Sequence, residues 1–189
     1  MHKQGKQASD HSQYTLTTEL ETEHLVLRRP TQQDGEVLFQ RWLADELHQP
    51  SGDALTQEET HQCITNVLRH WDQYGFGCWS VFERGKHQPA GLCGLTRTKD
   101  EIELTYSLTS EYWEHDFATE ATTACLAYGF RVLGIERIIA HTHEENPTLE
   151  QTLAQILTKL GMHQREHGET RHVYEITRAK WTSQHLIPA

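Results

Sequence analysis

No stretch of the 189-residue chain approaches the roughly 20 consecutive apolar residues that a membrane-spanning helix needs. Its first residues, Met1 to Lys6, lead into polar sequence without the apolar segment of a secretion signal. A cytoplasmic protein with no membrane partner is therefore expected. Cysteine is scarce: Cys63, Cys78, Cys93 and Cys125 stand far apart, which excludes a zinc or redox motif of closely spaced thiols and implies reduced, packing side chains. Basic residues are few. Lys and Arg total 17 against 27 Asp and Glu, for a formal net charge of -10, and a field of that sign repels a polyanion, so DNA is not an expected partner. The 14 histidines would offset part of that charge below neutral pH. Hydrophobic residues make up 36% and charged residues 23%, enough for a lean core, and the length suits one domain.

Residues 1–18 carry almost no apolar periodicity and read as a flexible tail; a single domain over 19–178 and a polar C-terminal tail over 179–189 follow. Glu19, Glu21 and Glu23 make a solvated acidic approach to a first strand, Leu25-Val26-Leu27-Arg28. Thr31 with Asp34 three residues on announces a helix, and Thr56 with Glu59 announces a second, whose Cys63, Ile64, Val67, Leu68 and Trp71 recur at helical spacing. Three short β-like runs follow, Cys78–Phe82, Ala90–Leu95 and Ile102–Leu108, divided by turn residues at Gly85 and at Thr98-Lys99-Asp100. A long helix from about Phe117 to Leu133 and the strand Arg137–His141 then imply a right-handed parallel crossover appended to an antiparallel meander. Asn146-Pro147 opens a further helix with the stripe Leu149, Leu153, Ile156, Leu157 and Leu160, closed by Gly161, and Met162–His167 with Arg171–Ile176 reads as a closing hairpin.

This order of elements, with Leu25-Val26-Leu27-Arg28-Arg29-Pro30 at the start, Tyr112-Trp113 to Glu120-Ala121 in the middle and Lys159-Leu160-Gly161-Met162 late, resembles the GNAT superfamily of N-acetyltransferases, nearest to its branch acting on ribosomal-protein N-termini. The resemblance implies an α/β (α+β) fold: a mixed, mostly antiparallel twisted sheet of about seven strands flanked by about four helices, with one splayed parallel pair. It also implies transfer of an acetyl group from acetyl-CoA to a primary amine, on a protein N-terminus or a small molecule, by direct attack and without a metal. A thioester is already activated, so such a protein mainly holds two reactants together, removes a proton and polarises a carbonyl. The oligomeric state is left open, a homodimer included.

By the same resemblance, Tyr106, Ser107 and Leu108 offer main-chain groups to the pantetheine arm, the alternative being an ordinary strand end. Glu103, on that strand, stands where the family often carries a glutamate that takes the amine proton; the plain alternative is a solvated side chain. The family's pyrophosphate loop, Q/R-x-x-G-x-G/A, corresponds to Trp113-Glu114-His115-Asp116-Phe117-Ala118, followed by Thr119. Asp116 replaces the most characteristic glycine and Glu114 another. Aspartate tolerates positive φ, yet two carboxylates beside a diphosphate repel it, and Asp116 is also a good helix cap whose carboxylate would fill the site from within. These departures motivate the alternative of a noncatalytic GNAT-like binding or sensor protein. Asn146 is either a cofactor contact or a plain cap, and no Ser or Tyr stands between it and Lys159. Outside the motif, Trp71, Tyr74, Phe76 and Trp79 suit either an acceptor pocket or the core, and His141 with His143 on one strand face suits structure, proton handling or a metal.

Overall fold

The computed structural model describes residues 17–44, 56–112, 116–143, 147–165 and 171–185. Its frame is one mixed sheet of eight strands in the order β1-β2-β3-β4-β5-β6-β8-β7. The strands are β1 (Glu19–Glu21), β2 (Leu25–Arg28), β3 (Cys78–Glu83), β4 (Gly91–Arg97), β5 (Ile102–Leu108), β6 (Arg137–His143), β7 (His163–Arg165) and β8 (Arg171–Thr177). The helices are α1 (Gln32–Ala44), α2 (Gln57–Tyr74), α3 (Phe117–Arg131), α4 (Pro147–Lys159) and α5 (Arg178–Gln184). Every registered pair is antiparallel except β5 with β6, which the α3 crossover makes parallel.

Local chemistry sets the helix ends. Thr31 and Asp34 form a reciprocal cap: the Asp34 amide donates to Thr31 Oγ1 (3.3 Å) and the Thr31 amide to Asp34 Oδ2 (2.8 Å). Asp34 is buried and also accepts from Arg28 (2.8 Å) and the Ser80 hydroxyl (3.1 Å), so one carboxylate joins α1 to β2 and β3. The α2 cap is the expected box between Thr56 and Glu59, and Gly75 ends the helix at φ 73. The lower-than-usual pKa of Glu59 follows from the Thr56 amide and hydroxyl it accepts.

Side chains alternate across the sheet. One face sends Leu25, Leu27, Trp79, Val81, Cys93, Leu95, Leu104 and Ile138 into the larger core, under Ala121, Cys125 and Leu126 of α3 and Leu157 of α4. The other sends Cys78 and Leu92 against Leu38, Trp42 and Ile64 of α1 and α2. Each fully buried leucine or isoleucine contributes about 1.5–3 kcal/mol, so the larger layer carries most of the stability.

Two elements add to the expected seven strands and four helices. The acidic approach to β2 is itself an edge strand, β1, with Leu20 packed against the core and Glu19 and Glu21 exposed, where charge discourages further strand pairing. The polar segment from 179 begins as α5, capped by the Thr177 hydroxyl, and buries Trp181 against Phe130. No described helix is long and apolar enough to cross a membrane.

Candidate active site

The parallel junction of β5 and β6 is the discontinuity in the sheet. On its β4 side, β5 pairs along its whole length, Ile102 to Leu108, whereas toward β6 the described register is the single position Glu103 opposite Ile139. Beyond that position the C-terminal half of β5 runs beside β6 without a further registered pair. Tyr106, Ser107 and Leu108 form that half, opposite Cys93, Leu92 and Gly91. Burial pushes the Tyr106 phenol upward, so it is a neutral donor rather than a proton acceptor.

Glu103 stands opposite Thr96 on β4, and cross-strand partners share a face, here the face covered by α1 and α2. A cavity of about 550 Å³ opens on the same face between α2 and the sheet, with Thr96 and Cys78 at its floor and Cys63, Asn66, Val67 and His70 along α2. Cys78 and Thr96 approach each other at 3.6 Å, and the Thr105 hydroxyl donates to Thr96 (3.3 Å). The cavity therefore lies one strand spacing, about 4.8 Å, from the strand that carries Glu103. Trp71, Phe76 and Trp79 do not line it. They are buried in the core, Trp71 and Trp79 edge to face, with Trp71 Nε1 donating to the Cys78 carbonyl (2.7 Å).

His70 lines the cavity but is committed elsewhere. The Arg97 amide donates to its Nε2 (2.8 Å), so Nδ1 carries the proton and donates to the Phe76 carbonyl (2.8 Å). Burial lowers its pKa, the Phe76 bond acts in the opposite sense, and Arg97 lowers it further. A ring with both nitrogens spoken for is a staple between α2 and the meander, not a base.

Across the junction, His141 of β6 places Nδ1 at 2.9 Å from Glu103 Oε1, both side chains about one-quarter exposed. The contact crosses the parallel junction. His143, the other imidazole expected on this face, has a side chain outside the described residues. Among the described residues no group of three or more His, Cys, Asp or Glu is placed to hold a metal ion.

At the head of α3, Asp116 adopts φ 58 and ψ 6, the left-handed region, and is the non-glycine residue in it among those described. The position read as a lost glycine thus keeps a glycine-like backbone, at a cost that aspartate bears more easily than most residues. The expectation that its carboxylate caps α3 is overturned: its side chain makes no capping hydrogen bond to the first turn. A left-handed residue at the cap directs its side chain away from the helix amides, and here it accepts from Lys159 Nζ (3.0 Å), with Thr119 Oγ1 at 3.5 Å. Lys159, at the end of α4, is the residue that the sequence reading used only as signature, and it partly neutralises the carboxylate beside the loop. Phe117 packs its ring near Tyr112 and His24, and Ala118 is buried beneath the turn. Trp113, Glu114, His115 and Asn146 lie outside the described residues. The head of α3 is held to β2 by Glu120, which accepts from the His24 amide (2.8 Å) and sits 2.9 Å from its Nδ1.

A parallel junction registered at one position, followed by a left-handed turn into a helix N-terminus with Lys159 beside it, is an arrangement compatible with an extended ligand that ends in a diphosphate. A family model described as an acetyltransferase (GNAT) domain matches residues 24–163. The chain belongs to the GNAT acetyltransferase family. Members of this family use acetyl-CoA as acetyl donor. Among its relatives is the uncharacterized N-acetyltransferase YoaA of Bacillus subtilis strain 168, 28% identical over 163 residues, 82% of this chain and 88% of that protein. The fold is shared with the ribosomal-protein-S5-alanine acetyltransferase from Vibrio fischeri at TM-score 0.70 and 18% identity, covering 87% of this chain and 99% of the other. It is shared too with RimL, a ribosomal L7/L12 alpha-N-protein acetyltransferase in complex with coenzyme A, at TM-score 0.67 and 16% identity, covering 82% and 95%.

Proposed function

We propose that this GNAT protein is a cytoplasmic N-acetyltransferase that moves an acetyl group from acetyl-CoA to a primary amine, on a protein N-terminus or a small molecule. The observation that carries the reading is the backbone of Asp116: a left-handed turn at the head of α3 whose carboxylate is drawn off to Lys159 rather than onto the helix amides. The pyrophosphate rests against that helix head, where the dipole favours an anion, and Thr119 and Lys159 border it. The arm lies along Tyr106, Ser107 and Leu108 at the end of β5, which brings the thioester alongside Glu103 on the same strand. The amine enters from the α2 cavity, and Glu103, one strand further on, takes part in removing its proton. The neighbours named for ribosomal-protein acetylation support a peptide N-terminus as one class of acceptor.

Calorimetric titration with acetyl-CoA tests the reading. Saturable binding in the micromolar range is expected, and no heat at millimolar ligand would overturn it in favour of a noncatalytic GNAT-like binding protein, the reading that the Asp116 carboxylate favours.

A further inference from the structure

The contact between Glu103 and His141 points to a role that the family resemblance did not assign. The geometry points to His141 as the group that receives the amine's proton, with Glu103 as the residue that positions it; this rests on the acetyl-transfer reading. Three observations carry it. His141 Nδ1 lies 2.9 Å from Glu103 Oε1. An ionised carboxylate only accepts hydrogen bonds, so Nδ1 carries the proton and Nε2 is left with the lone pair. The pair crosses the registered position of the parallel junction, Glu103 opposite Ile139, with His141 two residues further along β6 on the same face.

A carboxylate holding one imidazole nitrogen fixes the tautomer, aims the other nitrogen and stabilises the imidazolium once it forms. An ammonium acceptor first gives one proton to Nε2. Its nitrogen lone pair then forms the bond to the thioester carbonyl carbon as the carbon–sulfur bond breaks. The sulfur takes that electron pair, and the second proton, lost from the nitrogen as it becomes an amide, ends on the thiolate. No oxidant or metal enters the balance.

The charged groups around His141 are otherwise engaged. On the same face, Arg137 of β6 pairs with Glu101 (3.0 Å), and Arg165 of β7 reaches both Glu101 and Glu175 (3.3 Å each). Glu175 of β8 also meets His163 (3.3 Å) and Arg137 (3.8 Å). From α2, Glu59 is held in its cap and His70 is fixed by the Arg97 amide and the Phe76 carbonyl. Glu103 is thus the carboxylate in direct contact with His141, and its replacement is the change that should move the proton chemistry.

His141→Asn tests this, because its side-chain amide keeps a donor toward Glu103 but offers no base. With acetyl-CoA and either a peptide bearing a free N-terminal alanine or 1,4-diaminobutane, kcat/KM is expected to fall about 10²–10⁴-fold while the calorimetric affinity for acetyl-CoA is unchanged. Glu103→Gln should move the acid limb of the pH–rate profile to lower pH, since a neutral amide stabilises an imidazolium less. His141→Gln serves as a second variant, with circular dichroism verifying the fold of each. Imidazole nitrogen NMR of the acceptor-free protein should place the neutral-ring proton on Nδ1. Wild-type turnover in His141→Asn, or a proton on Nε2, would overturn the assignment. A wild-type protein that does not bind acetyl-CoA overturns the transfer reading and this role with it, whereas retained turnover in the variant overturns the role alone.

Discussion

Replacing Asp116 with glycine separates the two features that meet at the head of α3, a glycine-like backbone and a negative charge. The backbone is already left-handed, so glycine needs no rearrangement, and the relief of the aspartate's φ is offset by the greater freedom of glycine in the unfolded chain; stability should stay within about 1 kcal/mol. The ion pair with Lys159 contributes little to that balance. Its side chains are 78% and 61% exposed, and such pairs are worth roughly 0–1 kcal/mol. Binding is another matter. Removing a carboxylate from the edge of a diphosphate site relieves a repulsion of about 0.5–1 kcal/mol at an exposed helix terminus, and releasing Lys159 toward the anion adds a similar amount. The sum, about 1.5 kcal/mol, corresponds to roughly a tenfold gain in acetyl-CoA affinity. Calorimetry at low and high salt is the assay, because screening shortens to about 3 Å at 1 M and should erase most of an electrostatic gain. Asp116→Asn, which keeps tolerance of the left-handed region and loses the charge, should reproduce most of the effect. A fall in affinity for Asp116→Gly, or a gain indifferent to salt, would refute the account of this loop.

The thiols and the tether of α3 give further tests. Burial pushes the Cys78 thiol up to about 12 and that of Cys125 well above its usual value, where it lies 3.6 Å from Cys93. Cys63, half-buried at the cavity wall, is raised too but less enclosed, so the folded protein should release it first to a disulfide reagent and the other three only on unfolding; rapid labelling of several thiols would contradict this. The hydrogen bond to Glu120 raises His24 above 6.5; burial works to raise the Glu120 carboxyl, and bonds from Thr22 and from the His24 amide and ring outweigh it and lower it below 4.5. The raised His24 stabilises fully below pH 6.5 and loses that contribution as pH rises through its folded value, while the lowered Glu120 stabilises above pH 4.5 and loses it on acidification. The Tm gap between wild type and Glu120→Gln should therefore be larger at pH 5.5 than at pH 8.5, and equal gaps would sink the pairing.

Much of this architecture was legible before any fold was known, because its signals are local. The caps at Thr31 and Thr56 and the stripe of α2 depend on neighbours within a few residues, and they reappear as read. Strand β1 and helix α5 were missed for a common reason. Glu19-Leu20-Glu21 and the segment around Trp181 are polar by composition, and only the edge of β2 and the groove beside Phe130 make them regular. The tolerance of Asp116 for positive φ was likewise legible, but the direction of its carboxylate was not, since that depends on Lys159, 43 residues away.

Sequence alone determined the order of elements, the family likeness and the residue types at the head of α3, since each is written in contiguous runs whose physics is short-ranged. Only the tertiary structure decided which side chains act together. The parallel crossover sets β6 beside β5, and that juxtaposition, across 38 residues of chain, gives Glu103 its partner His141. Such pairing follows from how a twisted sheet and its covering helices close on one another, which no local pattern encodes.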